Sequence, residues 1–106
     1  MNLVTQEFEK LMADYPPSSQ DECDDPWVAA KFYNPAGPGI WLLMDYNPDT
    51  KMAYGFIIGL GYNGPGFISM RELETIRFSD GIKIERDINF EPAELSNFIN
   101  DDWLVM

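Results

Sequence analysis

Along the first dozen residues the apolar side chains Leu3, Val4, Phe8, Leu11 and Met12 recur at spacings that gather them on one side of a helix, and Pro16-Pro17 ends the pattern. From Trp27 onward the pattern changes. Residues 27–33, 40–46 and 52–59 are short apolar and aromatic runs separated by Asn34-Pro35-Ala36-Gly37-Pro38-Gly39 and Asn47-Pro48-Asp49-Thr50, both rich in turn-forming residues. Three successive strands with connections this short predict an antiparallel meander.

The stretch Leu60-Gly61-Tyr62-Asn63-Gly64-Pro65-Gly66 is glycine-rich enough to read as a loop, with Phe67-Ile68 as a short strand beyond it. Ser69-Met70-Arg71-Glu72 has the S-x-x-E form of a capping box and predicts a helix from residue 70 to about residue 76. Residues 82–88 alternate, imperfectly, between apolar and charged and predict a half-buried strand. Pro92 suits the first turn of a last helix that would turn Leu95, Phe98 and Ile99 inward. The expected fold is α+β: an antiparallel meander sheet of three to five strands packed with an N-terminal helix, a short middle helix and a C-terminal helix.

The chain has 106 residues and 45% hydrophobic residues, enough for one domain with its own core, as a monomer or a homodimer. It lacks a run of about 20 apolar residues and a basic-then-apolar leader, so no membrane partner is expected and a cytoplasmic setting is. Seven Lys and Arg face eighteen Asp and Glu, for a net charge of −11. That charge is uneven: residues 1–30 carry −6, residues 31–90 carry −1 and residues 91–106 carry −4. A field of this sign repels a polyanion, which argues against direct nucleic-acid binding, and attracts basic protein surfaces. The plainer reading is that acidic ends keep a small protein in solution.

Little in the sequence builds a catalytic, metal or cofactor site. Gly59-Leu60-Gly61-Tyr62-Asn63-Gly64 matches G-x-G-x-x-G, but Pro65-Gly66 follows where a dinucleotide fingerprint must open into a helix. Asp21, Glu22, Asp24 and Asp25 are oxygen donors without the spacing of a calcium loop, and one cysteine with no histidine leaves zinc without its usual ligands. Nucleophilic catalysis lacks a histidine base, and Cys23 sits among four acids that disfavour its thiolate. In Glu85-Arg86-Asp87 the arginine reads as a structural ion-pair partner. Trp27, Trp41, Tyr46, Tyr54, Tyr62 and Phe67 lie in or beside the meander; without a basic groove they read as core rather than as a base-stacking platform. Trp103-Leu104-Val105-Met106, behind Asp101-Asp102, either tucks into the core or docks elsewhere.

Residues 27–98 carry a further pattern. It consists of Lys31-Phe32-Tyr33-Asn34-Pro35, Trp41 followed by Asp45-Tyr46-Asn47-Pro48-Asp49-Thr50, Tyr54-Gly55 with Gly59, the segment from Gly66-Phe67-Ile68-Ser69 through Met70-Arg71-Glu72-Leu73-Glu74, and the segment from Ile84-Glu85-Arg86-Asp87 through Ile88-Asn89-Phe90-Glu91-Pro92. In these residues the chain resembles a bacterial family called domain of unknown function 2958, with residues 1–26 and 99–106 as acidic flanks of a single domain. The family usually has an acidic residue before its Gly-Tyr-Phe-Ser segment, where this chain has Asn63-Gly64-Pro65, and Ile68 stands where the Phe would. The resemblance implies a setting on plasmids, phages and other mobile elements, and no catalytic residues to transfer.

By analogy with other small acidic proteins of mobile elements, the expected function is inhibition of a host nucleic-acid-handling defence complex. Such an anti-CRISPR or anti-restriction protein would act as a DNA mimic, binding a basic surface through Asp21, Glu22, Asp24, Asp25, Asp101 and Asp102. The alternative is a non-enzymatic accessory domain of plasmid or phage replication that binds protein through the aromatic residues Tyr62 and Phe67.

Overall fold

The computed structural model describes residues 3–20, 24–61, 63–77 and 81–98. Thr5 opens the first helix, α1 (Gln6–Met12), by accepting the Phe8 amide on its hydroxyl at 3.1 Å, which satisfies one of the free donors of the first turn. The apolar side of α1 buries Phe8 and Met12 as the spacing predicts.

Five antiparallel strands form the main sheet in the order β5-β4-β3-β2-β6. They are β2 (Ala30–Tyr33), β3 (Ile40–Asn47), β4 (Met52–Ile58), β5 (Gly64–Ser69) and β6 (Glu85–Arg86). The strand expected over residues 27–33 is interrupted at Ala29, so that β1 (Trp27–Val28) leaves the sheet and pairs instead with β7 (Ala93–Glu94). The second helix, α2 (Met70–Thr75), starts at Ser69, whose hydroxyl accepts the Glu72 amide at 3.2 Å.

Both faces of the sheet are covered by apolar side chains. On one face α1 and α2 lay Phe8, Met12, Met70 and Leu73 against Phe32, Trp41, Leu43, Tyr46 and Ile68. Here Phe8 meets Phe32 and Tyr46 edge-on, with ring centroids 5.6 and 5.0 Å away, a geometry that suits the ring quadrupoles. On the other face Val28, Leu42, Met44, Phe56 and Ile58 form a second cluster, against which Phe90, Leu95 and Phe98 pack. The central strand β3 is therefore buried on both sides, which explains its nearly unbroken apolar run.

Three further expectations need correction. Gly64-Pro65-Gly66 is strand, not loop: β5 starts at Gly64, and Pro65, which has no amide hydrogen, is tolerated because β5 is an edge strand. The strand expected over residues 82–88 shrinks to Glu85–Arg86, with a separate bridge between Lys83 and Arg77; Asp87 then accepts the Asn89 amide and turns the chain away, leaving Ile88 81% exposed. The C-terminal helix is replaced by β7 and a 3-10 turn, Leu95–Asn97. A segment this short forms an α-helix poorly on its own, and competing bonds are at hand: the Leu95 amide donates to the Pro26 carbonyl, and Asp25 accepts from Ser96. Leu95 and Phe98 still pack inward, whereas Ile99 lies outside the described residues.

Candidate functional site

A β-bulge in β3 gives the sheet its most unusual feature. Leu43 pairs with Gly55 and Asp45 with Tyr54, so Met44 has no residue opposite it on β4. One extra residue reverses the side-chain alternation beyond it. Trp41 and Leu43 before the bulge and Tyr46 after it therefore all join the helix-side cluster, while Met44 belongs to the opposite one. Asp45 is carried to that opposite face as well, where only 6% of it is exposed.

Register then builds a row across three strands, with Asp45 opposite Tyr54 and Tyr54 opposite Phe67. The Tyr54 and Phe67 rings meet edge-on at 5.1 Å, and Phe67 remains 74% exposed. Beside this row runs a second one, Leu42, Phe56 and Pro65. Met44, Asp45, Tyr54, Phe56, Pro65 and Phe67 floor a groove of about 630 Å³ banked by Pro17, Ser18, Gln20, Pro26 and Leu95.

Those banks are held by polar side chains. The Ser18 amide donates to Asp45 Oδ2 at 3.0 Å, with Ser18 itself at φ 64°. Gln20 substitutes for a missing strand: its Nε2 donates to the carbonyls of Trp27 and Met44 at 2.8 and 2.7 Å, and its Oε1 accepts the Trp27 amide. Met44 falls outside the residue pairs that β3 makes with β2 and with β4, and an uncharged amide, which both donates and accepts, is the chemistry able to satisfy this set.

Among the acids expected to contact a partner, Asp24 is exposed. Asp25 is already engaged, accepting the Ser96 amide at 2.9 Å and the Ser96 hydroxyl at 2.6 Å, so one function of this acid is to clamp the C-terminal turn. Phe67 stands on the groove floor, and Asp25 adjoins Pro26 on its bank. Asp21, Glu22, Tyr62, Asp101 and Asp102 lie outside the described residues, as do Cys23 and residues 103–106. Asp45 and Tyr54 are functional candidates that pattern reading passed over as strand and core. The available signal was Asp45 as the lone charge within an apolar run.

Several other charged side chains are occupied structurally. Arg86 of the Glu85-Arg86-Asp87 triplet meets Glu7 at 3.3 Å, and Lys31 lies 3.8 Å from Asp87. A second, larger hollow includes Glu7, Arg86 and Asp87 among its walls, so part of its charge is already paired. On the helix side, Lys51 donates to Glu9 at 2.9 Å and Tyr46 donates to the same carboxylate at 3.3 Å. The hydrogen bond from Lys51 holds Glu9 below the usual carboxylate range, and burial, followed by the charge of Glu9, pushes the Tyr46 phenol up. The G-x-G-x-x-G segment links β4 to β5: Gly59 adopts φ 90°, its amide donates to Asn63 Oδ1, and a strand rather than a helix follows. Among the described residues no group of three or more His, Cys, Asp or Glu is placed to hold a metal, and no helix is long and apolar enough to cross a membrane.

No curated protein and no solved structure matches this chain. A family described as "Protein of unknown function (DUF2958)" matches residues 3–102, a span that takes in α1 and the acidic stretch of sequence before β1 as well as the strands that carry the resemblance. With nearly its whole length matched, the chain belongs to the DUF2958 family.

Proposed function

We propose that this protein acts by binding a basic surface of another protein, and that it inhibits a nucleic-acid-handling defence complex of a bacterial host, as an anti-CRISPR or anti-restriction factor would. The observation that carries this reading is the acid surplus that survives internal pairing. Among the described residues, Lys31, Lys51 and Arg86 are engaged by carboxylates of the same chain. The outward field is left to an excess of acids in a protein of net charge −11. Such a field accelerates encounter with cationic surfaces and loses strength with salt.

The test is an affinity capture from nuclease-treated bacterial lysate with elution in rising salt, followed by a cleavage assay on the captured complex. A nuclease or effector complex that leaves as salt rises, and whose cleavage this protein suppresses, supports the reading. Retention of basic proteins with cleavage unchanged refutes inhibition.

A second reading, a protein-binding accessory domain of plasmid or phage replication, is favoured by one observation: the exposed Phe67 ring against Tyr54 on an edge strand. Its complex would withstand salt and fail in Phe67→Ala.

A further inference from the structure

We propose that β5 pairs with β5 of a second copy of this chain, antiparallel about a two-fold axis at Phe67, so that the two five-stranded sheets join edge to edge. The pairing goes beyond the reading above and does not depend on it, because it uses the uncharged edge of the sheet rather than the acidic surface.

The register of β4 and β5 fixes which way the backbone of β5 points. The Met70 amide donates to the Lys51 carbonyl at 3.0 Å, and the pairing continues from there without a shift through Ala53 with Ile68, Gly55 with Gly66 and Ile57 with Gly64. Hydrogen-bonded and non-hydrogen-bonded pairs alternate along an antiparallel ladder. Residues 64, 66 and 68 therefore turn their amides and carbonyls to β4, whereas Phe67, opposite Tyr54, turns its own away from the sheet. Pro65 shares the phase of Phe67, the phase in which β4 requires no amide hydrogen from it. Among the described residues no strand pairs with β5 on that outer side.

A second β5 suits this edge better than an unrelated strand for three reasons. With Phe67 opposite Phe67, the two residues exchange both backbone bonds, and the symmetry that makes one bond makes the other. Pro65 then falls opposite Ser69 of the other copy. An ordinary strand would place there a carbonyl that finds no donor, but Ser69 is the N-cap of α2, and an N-cap carbonyl already accepts the first bond of its helix. Lastly, β5 reads Gly-Pro-Gly-Phe-Ile-Ser, without a charge in a chain of net charge −11, so the charged side chain that commonly guards a free edge is missing. The Phe67 rings, 74% exposed in one copy, would cover each other across the axis.

One pair of short strands buries less than the roughly 1,200 Å² of a stable complex, so the dimer is weak and forms in concentrated solution. Like net charges oppose it. Added salt therefore strengthens the dimer, the reverse of its effect on a complex with a basic partner.

The test uses the intact, isotope-labelled protein, followed by NMR and sedimentation equilibrium from about 10 μM to about 1 mM at low and high salt. The expected results are a mass rising toward that of two chains, shifts concentrated in residues 64–69 and Tyr54, and tighter association at high salt. In a half-labelled sample the α-protons of Gly66 and those of Ile68 in the other copy should show an intermolecular NOE, because these residues form the closely spaced pair beside Phe67. Phe67→Lys sets like charges opposite each other and should weaken association at least about tenfold, with the fold kept because the side chain is exposed. A monomer at every concentration overturns the proposal, as does a dimer whose shifts lie elsewhere, one that weakens with salt, or one that a folded Phe67→Lys leaves intact. Protection of the Phe67 amide from exchange in the dilute monomer also overturns it, since the edge would then be covered within one chain. The dilution series and the half-labelled contact need no variant, so they decide the matter even where Phe67→Lys fails to fold.

Discussion

The carbonyl oxygen of Leu42 stands 2.0 Å from the position that a β-carbon on Gly55 would occupy, so β3 and β4 approach beside the bulge as closely as they do because residue 55 has no side chain. Gly55→Ala must push the two strands apart at the point that sets the direction of Asp45. The expected cost is about 3 kcal/mol or more, a large share of the roughly 5–15 kcal/mol typical of a whole domain. Urea unfolding of the variant checks this. A midpoint within error of wild type would show that the sheet can absorb the methyl group.

Gln20 makes a similar contribution from outside the sheet. Gln20→Ala removes the partner of two carbonyls and one amide, and the loss is expected to be about 2–3 kcal/mol. Gln20→Glu keeps the size but cannot donate while ionised, and so should be at least as damaging at neutral pH. Hydrogen exchange at the Trp27 amide gives the local readout, with faster exchange expected in both variants while the α1 amides keep their protection.

The Glu9, Lys51 and Tyr46 cluster gives the protein two pH limbs. Glu9 titrates below its ordinary value of 4.5 in the folded state, so its contribution is present above that pH and disappears as pH falls through the folded value. Tyr46 titrates above its ordinary value of 10.0, so its contribution is present below pH 10 and is lost on further rise. In Glu9→Gln the stability difference from wild type should therefore be largest near neutrality and shrink below pH 4.5. Tyr46→Phe should flatten the alkaline limb. Chemical denaturation as a function of pH measures both limbs.

Asp25→Ala separates structural from binding roles among the acids. Loss of the two bonds to Ser96 should cost about 1–2 kcal/mol and speed amide exchange over residues 95–98, without disturbing the helix-side core. A variant as stable as wild type, with unchanged exchange in that turn, would return Asp25 to the freely available acids.

Phe67→Ala should leave stability within about 0.5 kcal/mol of wild type, because so much of the ring faces solvent. A larger loss by thermal melting would mean that the edge-on contact with Tyr54 supports the sheet.

Much of the architecture could be read from local pattern. Phe8 and Met12 on one side of α1, the turns at 34–39 and 47–50, and the Ser69 cap are each specified by neighbours in sequence, and each forms as its chemistry predicts. The departures have non-local causes. Glycine and proline at 64–66 read as loop, but β4 offers a backbone template that an edge strand can use despite Pro65. Pro92 is compatible with either a helix start or an extended segment, and pairing of β7 with β1, together with the Asp25 clamp, selects the extended form.

By itself the sequence determined the α+β class, the helix-side core and the acidic balance, because periodicity, turn chemistry and net charge are properties of adjacent residues or of simple sums. Only the tertiary structure decided that Asp45 faces the groove, that Tyr54 and Phe67 continue its row, and that Asp25 spends its carboxylate on Ser96. A bulge reverses which side of a strand a residue occupies, and register brings together residues more than twenty positions apart. Both are settled by the pairing of whole strands, which no local stretch of sequence contains.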